Sequence, residues 1–185
     1  MIQVSLTPHR NYLRASPEGS AETQKLFLLA QLTPQVTAKG ALGLTFVVDT
    51  SGSMREKVQG GKTKLELLIE SLRSVLSSSD IGADDQLSIV QFDDDASTVT
   101  APTGNRQMLL NGVEALRKHS GGTMMGLGML EALSNVPRGN VTRKVLLLTD
   151  GAAFDEDACR AVTSTYVAQN IGVIAVGVGD EFNED

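Results

Sequence analysis

From residue 42 onward, unbroken apolar runs alternate with segments in which apolar residues recur at helical spacing. An apolar run of about four to eight residues is typical of a parallel strand that is buried on both faces. The runs at 42–48, 87–92, 145–148 and 171–178 are therefore predicted to be strands. Their alternation with helical segments predicts an α/β fold with a doubly wound, mostly parallel sheet.

The segments between these strands each have one apolar face, which predicts helices that cover the sheet. The apolar positions are Leu65, Leu68, Ile69, Leu72, Val75 and Leu76 in the first helix, Met108, Leu109, Val113 and Leu116 in the second, and Leu127, Leu130 and Leu133 in the third. Residues 155–170 are predicted to form a fourth helix, with acidic residues in the first turn, where the helix dipole favours them. The segment 96–100 follows residue 92 too closely for a helical crossover, so we expect an antiparallel edge strand there.

The first 40 residues have a different pattern. Ile2, Val4 and Leu6 alternate with polar residues, and a second apolar segment at 26–32 follows a polar connection that contains Pro17 and Gly19. Alternation with a period of two is typical of a strand with one buried face. We therefore predict two extra N-terminal strands in residues 1–40, followed by the main α/β domain in residues 41–185.

Composition and charge limit the classes of partner. The chain has 185 residues, of which 41% are apolar, and this is enough for one sizeable core. Its formal net charge is −6, which disfavours long-range attraction to nucleic acid or to an anionic membrane. We expect neither as a partner. A metal ion or a cationic surface fits this charge better.

The sequence shows no targeting or spanning segment. The first ten residues have neither the charged nor the apolar region of a secretory signal, and no apolar run approaches the ~20 residues of a membrane-spanning helix. These features predict a cytoplasmic protein. The single cysteine, Cys159, excludes an internal disulfide and a cysteine-type zinc site.

Three short segments combine carboxylates and hydroxyls with glycine at the predicted ends of strands and helices. They are 49–53 (Asp-Thr-Ser-Gly-Ser), 120–123 (Ser-Gly-Gly-Thr) and 149–151 (Thr-Asp-Gly). In a doubly wound sheet, ligands bind in the crevice at the carboxyl ends of the strands. In a locally extended chain, residues two apart face the same way, so Asp49, Ser51 and Ser53 are predicted to converge on one point.

Thr123 and Asp150 extend this set to two carboxylates and three hydroxyls. All five are hard oxygen donors, which suit Mg²⁺ or Mn²⁺ better than zinc or copper. Two carboxylates balance the charge of a dication and leave it able to accept a further carboxylate from outside. Any one of the three segments alone is more simply explained as a helix cap or a turn.

In order and in placement, these residues resemble the metal-ion-dependent adhesion site of von Willebrand factor A domains. The strand sequences at 46–49, 88–92 and 177–180 also resemble that family, and the resemblance covers about residues 41–185. It implies a Rossmann-like fold and a metal held by Asp49, Ser51, Ser53, Thr123 and Asp150. It further implies a protein–protein interaction in which a partner's Asp or Glu completes the coordination of Mg²⁺ or Mn²⁺.

Two other functions remain open. A metal-assisted hydrolase would use the same ion to polarise a substrate or to activate water. Against an enzyme, the only potential general base near the site, apart from the predicted ligands, is His119. The resemblance also allows a sensor or scaffold subunit of an ATPase machine. We predict a binding module rather than an enzyme.

Members of the family usually continue past the segment 177–180 with a helix, an edge strand and a final helix. The resemblance therefore implies that the last α/β unit is missing from this chain. The predicted strand 171–178 would then lie at a sheet edge with unpaired backbone groups. We expect a second chain or a missing C-terminal segment to pair with it.

Overall fold

A computed structural model of the chain describes residues 2–8, 28–34, 40–58, 60–151 and 153–178. The chain divides into two compact units, Met1–Lys39 and Gly40–Asp185. In the first unit, strands β1 (Ile2–Pro8) and β2 (Leu28–Pro34) pair antiparallel, so that Ile2 lies opposite Pro34. This confirms the two predicted N-terminal strands, whereas their connection through Pro17 and Gly19 lies outside the described residues.

The second unit contains a five-stranded sheet in the order β5-β4-β3-β6-β7. Strand β3 pairs parallel with both β4 and β6, and β7 pairs parallel with β6. Strand β5 pairs antiparallel with β4 and lies at one edge, as the sequence predicts. The strand bounds are Leu42–Asp49 (β3), Gln86–Phe92 (β4), Ala96–Thr103 (β5), Thr142–Thr149 (β6) and Gly172–Gly177 (β7).

In the described part of the unit, four α-helices cover the two faces of this sheet and confirm the predicted doubly wound α/β fold. They are α1 (Lys64–Ser77), α2 (Arg106–Ala115), α3 (Met125–Asn135) and α4 (Glu156–Ala168). Phe46 and Val48 of β3 belong to the core cluster that contains α1 and α2, whereas Val47 belongs to the cluster that contains α3 and α4. Successive residues of β3 thus face opposite layers, and this explains its unbroken apolar sequence.

The order of the strands places the polar segments at one edge of the sheet. From β3 the chain continues to β4 and β5 on one side, and it then returns to β6 and β7 on the other. Strands β3 and β6 are therefore adjacent at the point where the direction of winding changes. In such folds this switch point is the usual ligand site. Asp49 ends β3, and Asp150 directly follows β6.

At the second edge of the described sheet, β7 is largely uncovered. Val173, Ile174 and Val176 are between 41% and 49% exposed. Residues 179 and 180 of the family-like segment lie outside the described residues. None of the helices in the described parts of the chain has the length and the apolar stretch that crossing a membrane requires.

Candidate metal centre

Asp49 forms the buried floor of the site. Its side chain ends β3 with 0% exposure, and its Oδ1 accepts a hydrogen bond of 2.8 Å from the backbone N–H of Ser51. The Thr149 hydroxyl donates to Asp49 Oδ2 at 2.6 Å. Both carboxylate oxygens are thus fixed by neighbours, and this gives the side chain one defined orientation.

A continuous set of hydrogen bonds connects the loop after β3 with the loop after β6. The Ser51 and Ser53 hydroxyls lie 3.0 Å apart, and the Ser53 hydroxyl donates to Asp150 Oδ1 at 2.8 Å. Asp150 follows Thr149, which already holds Asp49. The structure therefore brings four of the five predicted donors, Asp49, Ser51, Ser53 and Asp150, into one cluster.

The two glycines before Thr123 hold its loop beside the loop after β3. The Gly52 N–H donates to the Gly121 carbonyl at 2.8 Å, so the two loops lie against each other. Asp94 accepts a hydrogen bond of 2.8 Å from the Gly122 N–H, and the Thr123 carbonyl accepts one of 3.0 Å from Phe154. Thr123 itself is 7% exposed, and its hydroxyl forms no hydrogen bond with the other four predicted donors.

Burial raises the pKa of Asp49 above its ordinary value, and the nearby charge of Asp150 acts in the same direction. Hydrogen bonds from Ser51 and Thr149 act in the opposite direction by stabilising the ionised form. Two carboxylates therefore share a site where the charge of one disfavours ionisation of the other. A cation between them would relieve this repulsion.

Lys64 is part of the site, although the sequence pattern does not predict it. Its Nζ lies 2.8 Å from Asp150 Oδ2 and 3.0 Å from Glu56 Oε2. The hydrogen bond to Asp150 raises the pKa of Lys64 above its ordinary value. One sequence signal is its position: Lys64 is the first residue of α1, where the helix dipole favours acidic residues.

The chemistry of the donors fits a hard divalent ion. Within the described residues, no three His, Cys, Asp or Glu side chains come together as a metal-binding group. The cluster instead combines two carboxylates with hydroxyls, and sulfur and imidazole donors are absent from it. Such an oxygen set suits Mg²⁺ or Mn²⁺.

Comparison with known families identifies the α/β unit. A family model described as the von Willebrand factor type A domain matches residues 44–152, which include every predicted donor. The chain belongs to this family. Domains of the family (vWA domains) are protein-interaction modules, and some of them bind a metal. Among curated proteins, no sequence match reaches significance.

Solved structures of other vWA domains have the same fold. One is an aerotolerance-related membrane protein from Bacteroides fragilis, with 22% identity and a TM-score of 0.62. The match covers 78% of this chain and 75% of that protein's chain. The manganese-loaded TRAP protein of Plasmodium vivax has 21% identity and a TM-score of 0.61, with 78% and 59% of the two chains covered.

A third structure is proximal thread matrix protein 1 from the mussel byssus, in which zinc occupies the metal-ion-dependent adhesion site (MIDAS) motif. It has 16% identity and a TM-score of 0.60, and the match covers 78% of this chain and 39% of that protein. At these identities the likeness shows the fold. The manganese and zinc in two of these structures show that this fold can hold a metal.

Proposed function

We propose that the chain is a metal-dependent protein-binding module. Asp49, Ser51, Ser53, Thr123 and Asp150 hold Mg²⁺ or Mn²⁺, and an Asp or Glu of a protein partner completes the coordination. The observation that carries this proposal is the pair of buried carboxylates, 0% and 6% exposed, that Ser51 and Ser53 connect: the Ser51 backbone N–H donates to Asp49, and the two hydroxyls lead on to Asp150.

Each side chain has a defined part in such a site. Asp49 and Asp150 supply the two negative charges that balance a dication, and the hydroxyls supply neutral oxygen. Thr149 and the Ser51 backbone hold Asp49 in place, so that little rearrangement is needed on binding. A bound divalent ion supplies Lewis acidity toward a carboxylate from outside.

The surroundings of the site support a protein partner. Phe154 is 77% exposed, and its backbone N–H donates to the carbonyl of Thr123. A large exposed aromatic side chain beside a polar centre is typical of interaction surfaces, where aromatic residues contribute much of the binding free energy. A partner's carboxylate at the centre and an apolar side chain against Phe154 would engage one continuous surface.

A hydrolase would need a general base within hydrogen-bond reach of an attacking water. The hydrogen bonds of the cluster join hydroxyls to carboxylates and a lysine to a carboxylate. In the proposed site both carboxylates would serve as metal ligands, and neither would then be free to act as a general base. The binding module is therefore the better proposal.

Removal of the Thr123 hydroxyl tests the function with little risk to the fold. We expect Thr123→Ala to lower the stability by about 1 kcal/mol or less, because this hydroxyl has no hydrogen bond to the other donors. Affinity capture on immobilised protein, with Mg²⁺ and again with chelator, should yield partners that bind the wild type only with Mg²⁺. Thr123→Ala should bind them on the order of 10-fold more weakly, the effect of losing about 1.4 kcal/mol.

Thr163→Ala is the matched control, because Thr163 is an exposed threonine on α4. It should capture the same partners as the wild type. Partners that are retained equally with chelator, or by Thr123→Ala, would contradict the proposed function. Partner binding that is lost equally in both variants would assign the effect to stability rather than to the site.

A further inference from the structure

Lys64 occupies a position that the helix itself disfavours. It is the first residue of α1, directly after Thr63, whose hydroxyl accepts from the Glu66 N–H as the helix cap. The dipole at a helix N-terminus stabilises negative charge and opposes a cation. The contacts of the Lys64 side chain must therefore compensate for its position.

The main contact is a shielded ion pair with Asp150. The Lys64 Nζ lies 2.8 Å from Asp150 Oδ2, and the two side chains are 14% and 2% exposed. Because the pair is largely removed from solvent, salt screens it less than a surface pair. Ser53 binds the other oxygen of the same carboxylate, so both oxygens of Asp150 are engaged.

We propose that the Lys64 ammonium competes with the divalent ion for the Asp150 carboxylate and thereby sets the metal affinity of the site. The inference rests on the proposed function, in which Asp150 is a ligand. A dication bound to Asp150 and an ammonium at hydrogen-bond distance from the same carboxylate repel each other. Each cation therefore weakens the binding of the other.

Glu56 gives Lys64 a second partner when Asp150 is engaged elsewhere. The Lys64 Nζ already lies 3.0 Å from Glu56 Oε2, and the Lys64 backbone N–H donates to the Glu56 carbonyl at 3.1 Å. The Glu56 side chain is 67% exposed. A small movement of Lys64 toward Glu56 thus frees Asp150 without leaving the ammonium unpaired in a buried place.

Calorimetric titration with Mg²⁺ of Lys64 variants tests this competition. Lys64→Gln removes the charge and retains a polar side chain, so we expect it to bind Mg²⁺ on the order of 10-fold more tightly than the wild type, or more. Lys64→Arg keeps the charge and should bind Mg²⁺ more weakly than Lys64→Gln does. The matched control is Lys62→Gln, because Lys62 pairs with Glu70 at 2.7 Å on the surface and should not affect the site.

The reactivity of Lys64 toward an acetylating reagent gives a second readout in the wild-type protein. Saturating Mg²⁺ should raise its acetylation rate several-fold, because the ammonium exchanges a buried partner for an exposed one. Lys62 serves as the internal reference, with an unchanged rate. Mass spectrometry of both peptides measures the two rates in one sample.

The outcomes separate the inference from the function. If the wild type binds Mg²⁺ but Lys64→Gln binds it equally or more weakly, the inference is wrong and the proposed function stands. Binding by Lys64→Gln and none by the wild type would support the inference strongly. If neither the wild type nor Lys64→Gln binds Mg²⁺, both the inference and the proposed function are wrong. If Lys64→Gln does not fold, the acetylation rates in the wild type decide. When the wild type binds Mg²⁺ but Mg²⁺ leaves the acetylation rate of Lys64 unchanged, the inference is wrong.

Discussion

At the level of single residues, the site brings together buried charged side chains. Asp49 is fully buried and ionises against the cost of desolvation, with Ser51 and Thr149 as partial compensation. Asp150 lies beside it as a second acidic side chain, and Lys64 forms an ion pair with Asp150 at 2.8 Å. Under the proposed function, these buried charged residues hold an ion at some cost in stability, as is common at functional sites.

Cys159, by contrast, is predicted to be an unreactive side chain. Burial, and secondarily the charge of Asp155, raises the pKa of the Cys159 thiol from 9.0 to about 11. Since the thiolate is the reactive form, its fraction near pH 8 should be roughly 100-fold lower than that of an ordinary cysteine. We expect alkylation by iodoacetamide at pH 8 to be slower by a similar factor, and to accelerate as the pH rises toward 11.

The control is the same protein unfolded in urea, which should react at the rate of free cysteine. Rapid alkylation of the native protein at pH 8 would contradict the predicted environment of Cys159.

Local spacing predicts that Asp49, Ser51 and Ser53 converge, and the family resemblance adds Thr123 and Asp150, but the contacts of Lys64 and Thr149 within the site were not predicted. Asp49, Ser51 and Ser53 lie within five positions of each other, and their proximity follows from strand and turn geometry. The contacts of Lys64 with Asp150 and of Thr149 with Asp49 span 86 and 100 residues. These contacts depend on the order of the strands in the sheet, and no local sequence pattern encodes that order.

At the scale of secondary structure elements, glycines allow α3 to pack closely. A Cβ on Gly128 would lie 2.7 Å from Cδ1 of Phe92, which ends β4. A Cβ on Gly126 would lie equally close to Cβ of Ala158 in α4. Because α3 directly follows the loop of Thr123, this close packing also determines where that loop lies.

Gly128→Ala should therefore destabilise the protein, although alanine is the better helix former by about 1 kcal/mol. Overpacking against Phe92 should outweigh that gain and produce a net loss of roughly 1–3 kcal/mol. Urea unfolding followed by circular dichroism measures the change. Ser134→Ala is the control, since Ser134 lies exposed on the same helix and should gain a few tenths of a kcal/mol. A Gly128→Ala variant as stable as this control would contradict the packing of α3 against β4.

Two strands extend beyond their predicted bounds, because backbone pairing continues past their apolar residues. Strand β6 begins at Thr142 rather than at 145, because Thr142, Arg143 and Lys144 pair with the start of β3 through their backbones. Strand β5 extends to Thr103 rather than to 100 for a similar reason. Backbone pairing continues past the apolar residues, so an apolar pattern alone underestimates strand length.

At the level of the whole molecule, the proposed site depends on the order of the strands in the sheet. The doubly wound order places the ends of β3 and β6 side by side, and three loops that are distant in sequence meet there. The fold is shared with vWA domains at 16–22% identity, so most of the sequence varies while the fold remains. We propose that the chain holds a divalent ion at the point where these loops meet.

Paramagnetic broadening by Mn²⁺ in two-dimensional NMR spectra tests that claim most directly, because it locates the ion on the folded chain. Substoichiometric Mn²⁺ should first broaden the amides of the three loops, those of Gly52, Gly122 and Gly151. The amides of Gly139 and Gly172, near the opposite ends of β6 and β7, should keep their intensity. Excess Mg²⁺ should restore the lost signals, and Asp49→Ala should abolish the effect. Broadening that is spread evenly over the chain, centred elsewhere, or unchanged in Asp49→Ala would contradict the account.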